Sequence, residues 1–163
     1  MKQLKAVLNR VLSVLCKALF AFMTLLAVYQ VATRYLLNRP SSFSEELLSY
    51  SFAWLAMLAA VLVFGERDHM RLSFFSDKVT GEKTIALAAL TEVLIMLFAS
   101  LVLIYGGSTI VVLALPQVTA SLGIPMGYVY LIMPVSGVLI VLYNIINLTE
   151  LAEAFRAERR RAV

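Results

Sequence analysis

Charge, cysteine and histidine are all scarce in this chain of 163 residues. Only 15% of it is charged and 61% is hydrophobic, whereas a soluble domain is roughly a quarter charged. A globule this small has too little interior to hide so much apolar side chain. Cys16 is the single cysteine, which excludes an intrachain disulfide framework and any cysteine-built zinc site. His69 is the single histidine, which excludes bis-histidine haem ligation and a histidine-rich metal centre. A basic face for nucleic acid is missing too, because the net charge of +4 is spread over separate short clusters. No GxSxG elbow, P-loop, HExxH or intramembrane carboxylate pair is present. What remains is an all-α integral membrane protein, expected to be no enzyme and to hold no cofactor or metal.

A membrane-crossing helix needs about 20 mostly apolar residues. Four such stretches are predicted, over residues 11–33, 47–65, 84–110 and 128–149, within one membrane domain covering 1–163. The last two are separated by helix breakers, Gly106-Gly107, Pro116, Gly123, Pro125 and Gly127. Basic residues set the orientation. Lys2, Lys5 and Arg10 precede the first span, Arg67, Arg71, Lys78 and Lys83 follow the second, and Arg156, Arg159, Arg160 and Arg161 end the chain. The other two connections carry only Arg34 and Arg39 between them. The positive-inside rule therefore predicts both termini in the cytoplasm. The first span is expected to be retained, since its apolar run exceeds a signal h-region and no clear cleavage site precedes Arg34.

Inside lipid, helices associate through close packing and polar contacts. In the second span, Ser49, Ala53, Ala56 and Ala60 form a small-residue seam. In the fourth, Ser136, Tyr143, Asn144 and Asn147 fall on one side, and the first carries Ser13, Lys17, Phe20 and Thr24 as a stripe. Such seams either hold the four helices to each other or receive a second membrane subunit. Lys17 and Glu92 are charges within apolar sequence, each costing roughly 2.5–3.5 kcal/mol at a bilayer centre. Their similar depths predict an ion pair between spans one and three, with snorkelling of Lys17 to the lipid headgroups as the alternative. Ser42 and Glu45 have capping-box spacing at the start of span two. Pro134 is expected to kink span four. His69 is placed just past span two, as an interfacial hydrogen-bonding residue on the cytoplasmic side.

Several segments together resemble the small membrane subunit, of the DctQ type, of tripartite ATP-independent periplasmic (TRAP) transporters. They are Thr33-Arg34-Tyr35-Leu36-Leu37-Asn38, Phe43-Ser44-Glu45-Glu46-Leu47, Phe52-Ala53-Trp54-Leu55 and Glu66-Arg67-Asp68-His69-Met70-Arg71-Leu72. Gly123-Ile124-Pro125, Tyr130 and Pro134 extend the likeness. The family often has Trp where Phe43 stands and Gly where Ala59 or Ala60 stands. The resemblance implies a multi-pass protein of the bacterial inner membrane. It implies a periplasmic binding protein that delivers an organic acid, of the dicarboxylate or sialic acid class. It also implies a large membrane subunit that carries the substrate and sodium sites and moves like an elevator. This chain would then be the static support, in contact with that subunit, with membrane lipids and with the binding protein. Arg34, Arg39, Glu45 and Glu46, on the periplasmic side, are the candidate charges for docking the binding protein.

The main alternative is an autonomous four-helix transporter acting as a homo-oligomer. Such proteins rely on a deep carboxylate in the first span, whereas Glu92 belongs to the third. A membrane enzyme would need clustered polar groups at one leaflet, and Asn144 with Asn147 is too little.

Overall fold

With no water to satisfy them in lipid, backbone N–H and C=O groups must bond within their own segment, so the apolar runs become helices. A computed structural model of the chain describes the backbone over residues 2–66 and 82–161 and the side chains over 3–65 and 89–152. The elements are α1 (Lys2–Tyr35), α2 (Ser42–Glu66), α3 (Glu82–Phe98), a π-helical segment (Ala99–Gly106), α4 (Gly107–Ala114), α5 (Met126–Tyr130) and α6 (Ile132–Arg161). Four stretches are long and apolar enough to cross a membrane, Gln3–Tyr35, Ser42–Gly65, Ala89–Ala114 and Met126–Ala152.

The third stretch runs through the π-helical segment and through Gly106-Gly107 rather than ending there. These glycines are packing positions. A Cβ on Gly107 would stand 2.9 Å from Met133 Cβ, and one on Gly137 would stand 2.8 Å from Leu103 Cβ. Two glycines on facing helices thus let the third and fourth spans approach closely.

The fourth span is the hub. α6 packs against α2, α3, the π-helical segment and α4, while α1 packs against α2. Its buried positions Ile132, Ser136, Ile140, Tyr143 and Asn147 are three or four residues apart, and each is at most 3% exposed. The inward face of α2 is a heptad series, Ser44, Ser51, Leu58 and Gly65, all buried. Gly65 leaves room for the Tyr143 ring, which lies 2.7 Å from where its Cβ would be.

Chain turns use the residues the backbone demands. After α1, Asn38 takes the left-handed conformation (φ 50°), which asparagine tolerates better than most residues, and the Arg39 N–H closes back on the Thr33 carbonyl at 3.1 Å. The α2 cap is Ser41 rather than Ser42. Its hydroxyl accepts from the Ser44 N–H at 3.4 Å, and its carbonyl accepts from the Ser44 hydroxyl at 2.9 Å. The helical path of the fourth span breaks at Leu131, three residues before Pro134, which lacks the N–H that the Tyr130 carbonyl would otherwise accept.

Candidate functional site

At the end away from the termini, Glu46 gathers the loop between the third and fourth spans. Its carboxylate accepts from three successive backbone N–H groups, Ala120 (3.1 Å), Ser121 (2.7 Å) and Leu122 (3.0 Å), and from the Tyr50 hydroxyl (2.8 Å). Successive N–H groups turned to one side form a concave anion seat, and here the protein supplies its own anion. The loop is already closed on itself. The Thr119 N–H donates to the Ile124 carbonyl at 2.9 Å, the Thr119 hydroxyl accepts from the Ile124 N–H at 3.1 Å, and the Met126 N–H donates to the Gln117 carbonyl at 2.8 Å. Gly123 sits at φ +67°, where a side chain would be strained.

Glu46, Tyr50 and Trp54 succeed one another at four-residue steps on one side of α2. Trp54 Nε1 donates to the Val129 carbonyl at 3.0 Å, next to the break at Leu131. Trp54→Phe keeps an aromatic side chain but removes the Nε1–H and the pyrrole half of the indole, so stability in detergent is expected to fall by about 1 kcal/mol or more. Thermal unfolding of the purified chain would measure it.

A second polar cluster lies near the end bearing both termini. Lys5 Nζ donates to Asn147 Oδ1 at 3.0 Å and stands 4.0 Å from Glu150. The Tyr143 hydroxyl donates to Asn9 Oδ1. Lys5 and Asn9 on α1 therefore mesh with Tyr143, Asn147 and Glu150 on α6 at matching helical spacing. The Asn144 amide, assigned from its surroundings, donates its N–H to Glu92 and accepts from the Met96 N–H at 3.2 Å.

The residues singled out from the sequence fall into distinct places. Ser136, Asn144 and Asn147 are buried in α6, each at most 1% exposed. Ser49, Ala53 and Ala56 are exposed and Ala60 is half-buried, because the inward face of α2 is the Ser44–Gly65 series on the opposite side. Lys17 and Glu92 are not brought together. Glu92 is buried and held by Asn144, whereas Lys17 is exposed on α1. The reason is the arrangement of helices, with α1 against α2 and α3 against α6. Arg34, Arg39 and Glu45 are exposed, but Glu46 is committed to the loop. His69 lies outside the described residues. Asn9 and Tyr50 were not singled out, and Lys5 and Trp54 were named only as an orienting charge and as part of the family motif. The four-residue spacing of Lys5 to Asn9 and of Tyr50 to Trp54 was the available signal.

The model of the family described as tripartite ATP-independent periplasmic transporters, DctQ component, matches residues 23–154. The chain belongs to this family. Its relatives agree. A Haemophilus influenzae protein named as a TRAP transporter small permease is 31% identical over 140 residues, which cover 86% of each chain. The sialic acid TRAP transporter small permease protein SiaQ of Vibrio cholerae is 27% identical over 154 residues, covering 93% of this chain and 88% of that one. As a TRAP small permease subunit, the protein is a multi-pass component of the bacterial inner membrane.

Proposed function

We propose that this small permease subunit is a static support for a larger membrane subunit, which carries out sodium-coupled uptake of an organic acid delivered by a periplasmic binding protein. The observation that carries this reading is the use of the buried polar groups that meet one another near the end bearing the termini. Glu92, Asn144, Tyr143 and Asn147 all bond to other helices of the same chain. A carrier would instead need convergent polar groups, with broken helices presenting their ends to solute or ion. The name of the Vibrio cholerae relative favours sialic acid as the substrate, with dicarboxylates as the other class.

Both termini are assigned to the cytoplasm by the basic residues around them, which puts the Glu46 clasp in the periplasm. Arg34, Arg39 and Glu45 stay exposed there for the binding protein, and Glu46 acts by shaping the adjacent loop. Reconstitution into liposomes tests the reading. The chain alone is expected to move no sialic acid or dicarboxylate, while the three components together give uptake that depends on a sodium gradient. Transport by the chain alone would overturn it.

A further inference from the structure

Lys17 is a cation in the middle of an apolar helix, and it is exposed. Its depth follows from the register of α1 against α2. Phe20 and Thr24 line a groove of about 520 Å³ together with Ser49 and Phe52. One end further on, Asn9 meets Tyr143, whose ring lies on Gly65. This antiparallel register sets Lys17 level with Ala56, midway between Glu46 and Glu66 on α2. At 1.5 Å rise per residue, that is about 15 Å from either end, the middle of a hydrocarbon core about 30 Å thick. A lysine has a four-carbon stem, which spans only a fraction of that distance. Among the described residues, no hydrogen bond or ion pair engages Lys17.

The surroundings of Lys17 form one surface. Lys17, Phe20 and Thr24 share a stripe of α1, and Ser49, Ala53 and Ala56 share a stripe of α2. All six are exposed, and Phe20, Thr24 and Ser49 edge the same groove. Two antiparallel helices therefore present a common outer face, with an apolar groove edged by Phe20, Thr24 and Ser49 and, a turn nearer the termini, the exposed Lys17 and Ala56. Small residues permit close approach of another helix backbone. A midplane cation there calls for an anion brought by whatever covers it.

We infer that this α1–α2 face receives a transmembrane helix of the larger membrane subunit, one bearing a carboxylate level with Lys17. The inference rests on the proposed partnership with that subunit and adds the face and the charge that make it. Co-expression of the chain with its large subunit, followed by affinity capture of the tagged chain in mild detergent, tests both. Lys17→Glu is expected to lower the captured large subunit by about tenfold or more, and Lys17→Arg to leave it unchanged. A compensating change of one intramembrane acidic residue of the large subunit to lysine should restore capture by Lys17→Glu. As a check independent of the charge change, a benzophenone amino acid in place of Ala56 should photocrosslink to the large subunit.

Normal capture by Lys17→Glu, or photoadducts at position 56 with lipid alone, would mean that no anion of the large subunit meets Lys17 and would overturn the inference. Failure of the unaltered chain to capture any large subunit would overturn the partnership itself, and this inference with it.

Discussion

Glu46→Gln is expected to release the loop tip while leaving the four helices assembled. Glutamine matches the shape of glutamate but turns one of two acceptor oxygens into a donor, set against N–H groups that are donors themselves. Bonds from N–H to a carboxylate are stronger than neutral ones, and Glu46 Oε2 alone accepts two of them, at 2.7 and 3.0 Å. Amide hydrogen exchange at Ala120, Ser121 and Leu122 should therefore accelerate by about tenfold or more, since loop amides exchange through local opening. Exchange within α6 should not change. On the proposed function, uptake at limiting binding protein should fall as well, because the docking loop has lost its shape. Glu46→Asp withdraws the carboxylate by one methylene and should behave similarly. Unaltered exchange at the three amides in both variants would show that the turn around Gly123 holds itself and that Glu46 is dispensable to it.

That clasp was hidden from the sequence for a physical reason. Glu46 meets backbone N–H groups 74 to 76 residues further along the chain, and a backbone donor leaves no mark on the amino-acid pattern. A glutamate at the head of an apolar helix reads as a capping or surface charge whatever it touches. The four spans were legible because length and apolarity are enough to specify them. The faces were not. In water, the inward side of a helix is the apolar side, but in lipid both sides are apolar and only packing distinguishes them. The small-residue series Ser49, Ala53, Ala56 and Ala60 was therefore visible, yet its direction was not. The series that turns inward, Ser44, Ser51, Leu58 and Gly65, includes a leucine and does not read as a seam. The expected Lys17–Glu92 pair went astray because the two are neither level nor on neighbouring helices: Glu92 sits with Asn144, next to the Tyr143 that meets Asn9, two turns of α1 nearer the termini than Lys17. The π-helical segment of the third span carries no sequence signature at all.

The adjacent glycines of the third span allow a sharper test, because they look alike in sequence and differ in their surroundings. A Cβ on Gly106 would meet nothing nearer than the Leu101 carbonyl oxygen, at 3.6 Å. Gly106→Ala should accordingly be neutral or stabilising, by up to about 1 kcal/mol from the lower backbone entropy of alanine. Gly107→Ala pushes a methyl group against Met133 Cβ and the Pro134 ring, at 2.9 and 3.1 Å. Its counterpart Gly137→Ala meets Leu103 Cβ at 2.8 Å and the Ile104 backbone nitrogen at 3.2 Å. A Cβ or a backbone atom moves only with its helix, so relief requires the third span and α6 to separate. Each of these two substitutions should cost about 1–3 kcal/mol, the usual range for overpacking, and Gly137→Leu should cost more. Thermal unfolding of the detergent-solubilised chain would place Gly106→Ala at or above the unaltered protein and both Gly107→Ala and Gly137→Ala below it. The Gly107→Ala, Gly137→Ala double variant should lose less than the sum of the singles, because one separation of the helices relieves both contacts. Equal stability of all three single variants would mean that the two spans do not meet through their glycines, and the close approach at the hub of the fold would have to be given up.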